Sequence, residues 1–177
     1  MMIKKLITIV LIFGIGMTAT QADKPVYTTG NYEGHGYEMI PTPTPWHIAK
    51  KKADEEGGYL VVITSSQENQ FVTELVKKAT KGEYCEVWIG LSDEKDEGDW
   101  KWINGEKYTF NNWDKSNPSN SDGAENSVQL IKSFDEFQWN DRSSDRRCAY
   151  IIEYNHEIES KNPSKSSGLN SGLRSTR

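Results

Sequence analysis

Oxygen-bearing side chains crowd three places in this chain of 177 residues. Asp93 and Glu97 follow the run Trp88-Ile89-Gly90-Leu91. Asn117-Pro118-Ser119-Asn120 is followed by Glu125-Asn126, and Asn140-Asp141 comes directly after Trp139. Carboxylates and side-chain amides with no His or Cys beside them are the ligand set of a hard divalent cation such as calcium. The spacing is not that of an EF-hand, because the ligands come from distant segments. Only a fold that brings three loops together could use them. Cys85, Cys148 and the scattered His35, His47 and His156 show no zinc-ligand spacing, and the three histidines read as incidental.

The elements that must do this positioning can be read along the chain. Lys4 and Lys5 precede an apolar run from Leu6 to Met17, and Thr20 and Ala22 stand in the small-residue places of a cleavage site. Residues 1–22 are therefore expected to be a secretory signal peptide, the run being too short to span a bilayer. The mature protein is expected to be secreted or extracytoplasmic and not membrane-spanning. Net charge is −5, from 21 basic and 26 acidic side chains; losing Lys4 and Lys5 with the leader deepens it to −7. An acidic domain is a poor partner for nucleic acid. Residues 23–33 form a short N-terminal segment, residues 34–154 the folded domain. Residues 155–177, rich in Ser, Asn, Lys and Gly, are expected to be a disordered polar tail.

Within the domain, Gly36 to Ile40 alternates Tyr37 and Met39 onto one face, as a strand does. Thr44 and Pro45 are placed to open a helix carrying Trp46, Ala49 and Ala53, which Gly57-Gly58 ends. Tyr59 to Ile63 is a strand candidate. Ser65-Ser66-Gln67-Glu68 is a capping box, so Glu68 reads as a cap. Phe71, Val72, Leu75, Val76 and Ala79 stripe the second helix. Val87 to Leu91, Trp100 to Ile103, Tyr108 to Phe110, Val128 to Ile131, Phe137 to Trp139 and Ala149 to Tyr154 read as short strands. Asn104-Gly105 is a hairpin signal. Asn111 to Ala124 is a long polar loop of the kind that is functional or disordered. Helices first and antiparallel strands after them make an α+β pattern. Trp88, Trp100, Trp102 and Trp113 read as core packing, as does Trp139. The sequence leaves open whether Cys85 and Cys148 pair.

The ordered set of motifs resembles the C-type lectin domain family over about residues 35–154. Trp88-Ile89-Gly90-Leu91 looks like its WIGL signature. The helix around Trp46 and Ala49, the Gly57-Gly58 turn and Ser66-Gln67-Glu68-Asn69 match its first half. Trp100-x-Trp102, Asn104-Gly105, Asn112-Trp113, Trp139-Asn140-Asp141 and Tyr150-Ile151-Ile152-Glu153-Tyr154 match its second. From Gly90 through Ser127 the spacing is similar to that of the mannose-binding proteins.

The resemblance implies a C-type-lectin-like fold, with two helices packed on short antiparallel sheets beside a long calcium and ligand-binding loop. It implies a sugar-contacting calcium at Asn117, Ser119, Glu125, Asn140 and Asp141, with Pro118 after a cis bond. It implies an auxiliary calcium at Asp93, Glu97, Asn120, Glu125 and Asn126. The sequence departs from the family in three respects. Asn117-Pro118-Ser119 replaces the usual Glu-Pro-Asn or Gln-Pro-Asp, so the sugar class does not carry over and calcium binding should be weak. Ser127 and Ile152 stand where half-cystines are expected, as is similar in exported bacterial members. Cys85 and Cys148 are elsewhere.

The function this implies is calcium-dependent binding of a glycan or cell-surface carbohydrate, sugar hydroxyls completing the ion's shell. The alternative is a calcium-independent lectin-like domain that binds a protein or other surface ligand. Catalysis is not expected. Glu125 and Asp141 could be a paired-carboxylate hydrolase, but amide neighbours suit cation ligation better than proton transfer. Other catalytic motifs are missing.

Overall fold

The computed structural model describes residues 27–159 apart from 84, 134 and 135. The expected leader and residues 160–177 of the expected tail lie outside the described residues. Strand β8 (Cys148–Tyr154) is buried along its whole length, which is why its sequence is a continuous apolar run rather than an alternation. Two neighbours flank it. On one side β2 (His35–Thr44) pairs antiparallel with it, and β1 (Thr28–Tyr32) pairs with β2. On the other side β4 (Val87–Ser92) runs parallel to it, Val87 opposite Ala149 and Trp88 opposite Tyr150. Beyond β4 lie β6 (Ser127–Ser133) and β7 (Glu136–Arg142), an antiparallel hairpin. The two-residue strands β3 (Tyr59–Leu60) and β5 (Lys101–Trp102) pair with β8 and β4.

Each face of this sheet is closed by one helix. Helix α1 (Trp46–Glu55) packs Trp46, Ala49 and Ala53 with Trp88, Tyr150 and Ile152. Helix α2 (Ser66–Thr80) is capped by Ser65, whose Oγ accepts the Glu68 N–H at 3.1 Å. It lays Val72, Leu75 and Val76 over Ile89, Leu91, Leu130, Trp139 and Ile151. The chain is thus α+β, two helices on a mixed sheet, as its pattern predicts. The parallel β4–β8 pair is the departure from an all-antiparallel arrangement, and it is possible because both strands are covered on both faces.

Several local expectations change. Pro45, not Thr44, occupies the cap position of α1; the Thr44 hydroxyl donates to the Thr42 carbonyl instead. The Glu68 carboxylate bonds Thr64 N–H and the Tyr37 hydroxyl rather than closing a box onto Ser65. Asn104-Gly105 does turn the chain, with Gly105 at φ +85°. However, Tyr108 to Phe110 does not return as a strand, so there is no hairpin. His35 is not incidental: its Nδ1 lies 2.6 Å from Glu153 Oε1, and this buried carboxylate also accepts from Tyr59 and from Val62 N–H. Past Tyr154 the chain stays docked as far as Ile158, whose N–H and carbonyl bond the Asn31 side chain.

Cys85 and Cys148 are both free thiols. Cys148 is buried against Gln129 Oε1, and burial, helped by the nearby Glu86 charge, pushes its thiol up to about 12. Since only the thiolate reacts, Cys148 should resist Ellman's reagent at pH 8 in the native protein and react at once in denaturant. Stoichiometric native labelling at Cys148 would contradict this packing.

Candidate functional site

The loop after β5 is carried to the site by the β6–β7 hairpin. Trp139 N–H donates to the Asn112 carbonyl and Asp114 N–H to the Trp139 carbonyl, both at 2.8 Å. Trp113 therefore lies beside Trp139 as one parallel bridge of extra sheet. The buried Trp139 indole, locked to Asn69 Oδ1, fixes that bridge to α2. From there the chain passes through a cis Asn117-Pro118 bond and a short 3-10 turn at Ser121–Gly123 before entering β6.

Asp141 holds the loop. Its side chain is fully buried. Both carboxylate oxygens accept the Ser119 N–H, at 2.9 and 2.8 Å, and Oδ2 also accepts the Asn120 N–H at 2.6 Å. Glu125, buried as well, closes the other side. Its Oε2 accepts the Ser119 hydroxyl and the Ser121 N–H, and its Oε1 lies 3.2 Å from Arg142 Nη1. Asn120, in the left-handed region at φ +43°, accepts the Glu125 N–H on Oδ1. Ser119, Asn120, Glu125 and Asp141 thus form one bonded group.

Two residues of the expected set stand apart from it. The Asn117 side-chain amide leans back on Asp114 at 3.5 Å. Asn140 shares a strand with Asp141 but faces the other way, because β7 alternates Phe137, Trp139 and Asp141 inward against Gln138, Asn140 and Arg142. Arg142 therefore stands on Asn140's face and was not among the expected residues. The alternation alone could have placed it there, two positions from Asn140.

The auxiliary set lies alongside. Asn126 accepts on its carbonyl from Ser92 Oγ at 2.6 Å and from Asp93 N–H. Asp93 is buried and its Oδ2 accepts the Gly98 N–H at 2.8 Å. Its Oδ1, and Asn126 Oδ1, are buried with no hydrogen-bond partner. Glu97 is exposed. Its carboxyl is held above the ordinary range by desolvation first, then by the Asp93 charge and a hydrogen bond with the Asp93 side chain, and then by the Asp141 charge, while Asn120 bonds the ionised form. Negative charge is thus concentrated where two acceptor oxygens lack donors.

Among the described residues, no group of three or more His, Cys, Asp or Glu is arranged as a metal site by those side chains alone. The two implied calcium positions nevertheless differ in fit. The orphaned Asp93 Oδ1 and Asn126 Oδ1 suit a cation, because burying such groups unpaired costs roughly 1–3 kcal/mol each. At the other position every carboxylate oxygen of Glu125 and Asp141 already has a donor from this chain. Asp141 is also shut off from solvent. What sets this position apart is that Arg142 already brings a positive charge to Glu125.

A family model described as the lectin C-type domain matches residues 42–154. The chain belongs to the C-type lectin domain family. It is 35% identical over 111 residues to a perlucin-like protein of Mytilus galloprovincialis, covering 62% of this chain and 69% of that one. It is 30% identical to Ladderlectin of Oncorhynchus mykiss over 72% of this chain and 66% of that one. The C-type lectin CEL-I from Cucumaria echinata superposes with a TM-score of 0.67 at 25% identity, over 74% of this chain and 96% of that one. These relatives are animal lectins rather than bacterial ones. The family consists of binding domains, not enzymes. No helix among the described residues is long and apolar enough to cross a membrane.

Proposed function

We propose that this lectin domain binds carbohydrate on the loop running from Asp114 to Asn126, and that calcium held on the Asp93 side keeps that loop in its binding form. The observation that carries the reading is the pair of buried, donorless oxygens, Asp93 Oδ1 and Asn126 Oδ1, under a loop already crowded with acceptors. Asp93, Glu97, Asn120 and Asn126, with Glu125 beside them, are the residues that would hold the ion. Bound there, calcium supplies positive charge that neutralises the carboxylates. Hydrogen bonding to sugar hydroxyls falls to the more accessible polar groups around the loop: Ser119, Asn117, Asn140 and Arg142. A mouse scavenger receptor domain named as a C-type lectin carbohydrate-recognition domain, 29% identical with a TM-score of 0.62, supports the ligand class. The apolar leader supports export. The missing half-cystines at Ser127 and Ile152 support the bacterial-type resemblance.

The test is thermal melting and glycan-array binding, each in calcium and in EGTA. Calcium that binds only the native state stabilises it by about 2.7 kcal/mol at a hundredfold excess over Kd. The midpoint should rise in calcium, Asp93→Asn should abolish the rise, and glycan signal should fall in EGTA. The second reading, a calcium-independent domain for a protein ligand, is favoured by the self-satisfied Glu125 and Asp141. An unchanged midpoint at millimolar calcium would select it.

A further inference from the structure

We infer that Arg142 is the resident cation of the binding loop, its guanidinium standing on Glu125 where the family resemblance implies a sugar-contacting calcium. Three observations carry this. Glu125 is a buried carboxylate that needs a counter-charge, and Arg142 Nη1 at 3.2 Å is that charge. The other Glu125 oxygen accepts from Ser119 and Ser121, and the Asp141 oxygens accept the Ser119 and Asn120 N–H groups, so Arg142 is the positive charge this chain itself brings to the group. Arg142 reaches Glu125 from β7, on the face it shares with Asn140.

A guanidinium carries five N–H donors and cannot be deprotonated in proteins. One donor on Glu125 leaves others directed elsewhere, and Arg142 is partly exposed. The same side chain therefore neutralises Glu125 and offers hydrogen bonds to a ligand hydroxyl. It is fixed in the chain, so it holds the loop without any dissolved ion. This rests on the loop being the binding site, but not on calcium binding elsewhere.

The test is a double-mutant cycle in EGTA, with Arg142→Gln, Glu125→Gln and both together unfolded in urea, combined with calorimetric calcium titration of the full chain. A coupling of roughly three- to thirtyfold in the unfolding equilibrium is expected between the two sites, toward the low end because Arg142 is partly solvated. The wild type should take up no more than one calcium. Arg142→Gln should either gain a second calcium or bind calcium several-fold more tightly. Additive mutations in EGTA overturn the inference, as does a wild-type stoichiometry of two with one ion lost in Glu125→Gln. A wild type that binds no calcium but keeps the coupling would sink the calcium part of the proposed function and leave Arg142's role standing. A fall in glycan retention for Arg142→Gln, with its calcium-free loop still protease-resistant, separates ligand contact from mere folding.

Discussion

Asp141→Asn is expected to release the loop and abolish carbohydrate retention while leaving the rest of the sheet folded. The reason lies in what the carboxylate touches. Ser119 N–H points at both oxygens and Asn120 N–H at one of them. An asparagine has one acceptor and one donor, so whichever way its amide turns, an NH2 group meets a backbone N–H. The exchange removes charge-assisted bonds and leaves a buried donor unpaired, worth roughly 2–4 kcal/mol together. Relief of repulsion on Glu97, which feels the Asp141 charge, offsets a little of this. Because β7 remains paired with β6 from Ser127 to Ser133, the loss should be local. Urea unfolding should show the destabilisation, and limited proteolysis should show new cleavage between Asp114 and Glu125. Full glycan retention by an Asp141→Asn protein with an intact loop would mean that the loop is not the binding surface.

The sequence carried the fold's framework well because its central strands and helices have strong, simple patterns. The Trp88 to Leu91 run, the α2 stripe and the Ser65 cap each point to one structure. What it hid were features set by distant partners. Strand β1 has no apolar alternation; Gly30 is there because Phe71 packs at 2.9 Å from where its Cβ would be. Tyr108 to Phe110 has strand-like residues, but no neighbouring edge takes them. In the site, Ser119, Asn120, Glu125 and Asp141 do meet, whereas Asn117 turns to Asp114 and Asn140 lies on the other face of β7. The motif makes Asn140-Asp141 a pair of ligands, yet adjacent residues on a strand face opposite ways. That same alternation puts Arg142 beside Asn140, but its positive charge argues against including it in a cation-ligand set. Its long side chain, crossing from β7 to the loop, is a tertiary fact that spacing does not encode.

Gly90→Ala should be a strongly damaging single-methyl change. A Cβ at Gly90 would lie 2.5 Å from the Leu60 carbonyl oxygen and 2.9 Å from Ile103 Cγ1. The isoleucine could turn away, but the carbonyl belongs to backbone that β8 already holds through Leu60 and Ile152. Gly90 is itself tied on both sides, its N–H donating to Val61 O at 2.8 Å and its carbonyl accepting from Ile103 N–H at 2.9 Å. Relief therefore requires β4 to move from β3, and overpacking of this kind in a rigid core costs about 3 kcal/mol or more. Gly57→Ala is the comparison. Gly57 has φ +81° with nothing near its Cβ position, so it should lose only about 1 kcal/mol, the left-handed backbone cost of a side chain. The larger effect also reaches the site, because β4 ends at Ser92 and hands the chain to Asp93, whose N–H meets the Asn126 carbonyl at 3.3 Å. A shifted β4 pulls Asp93 from Asn126 and should shrink the calcium-dependent rise in melting temperature, whereas Gly57→Ala should leave that rise intact. Equal stability losses in the two variants would show that the Leu60 carbonyl yields to a methyl group, and that the approach of β3 to β4 does not set the spacing of the site.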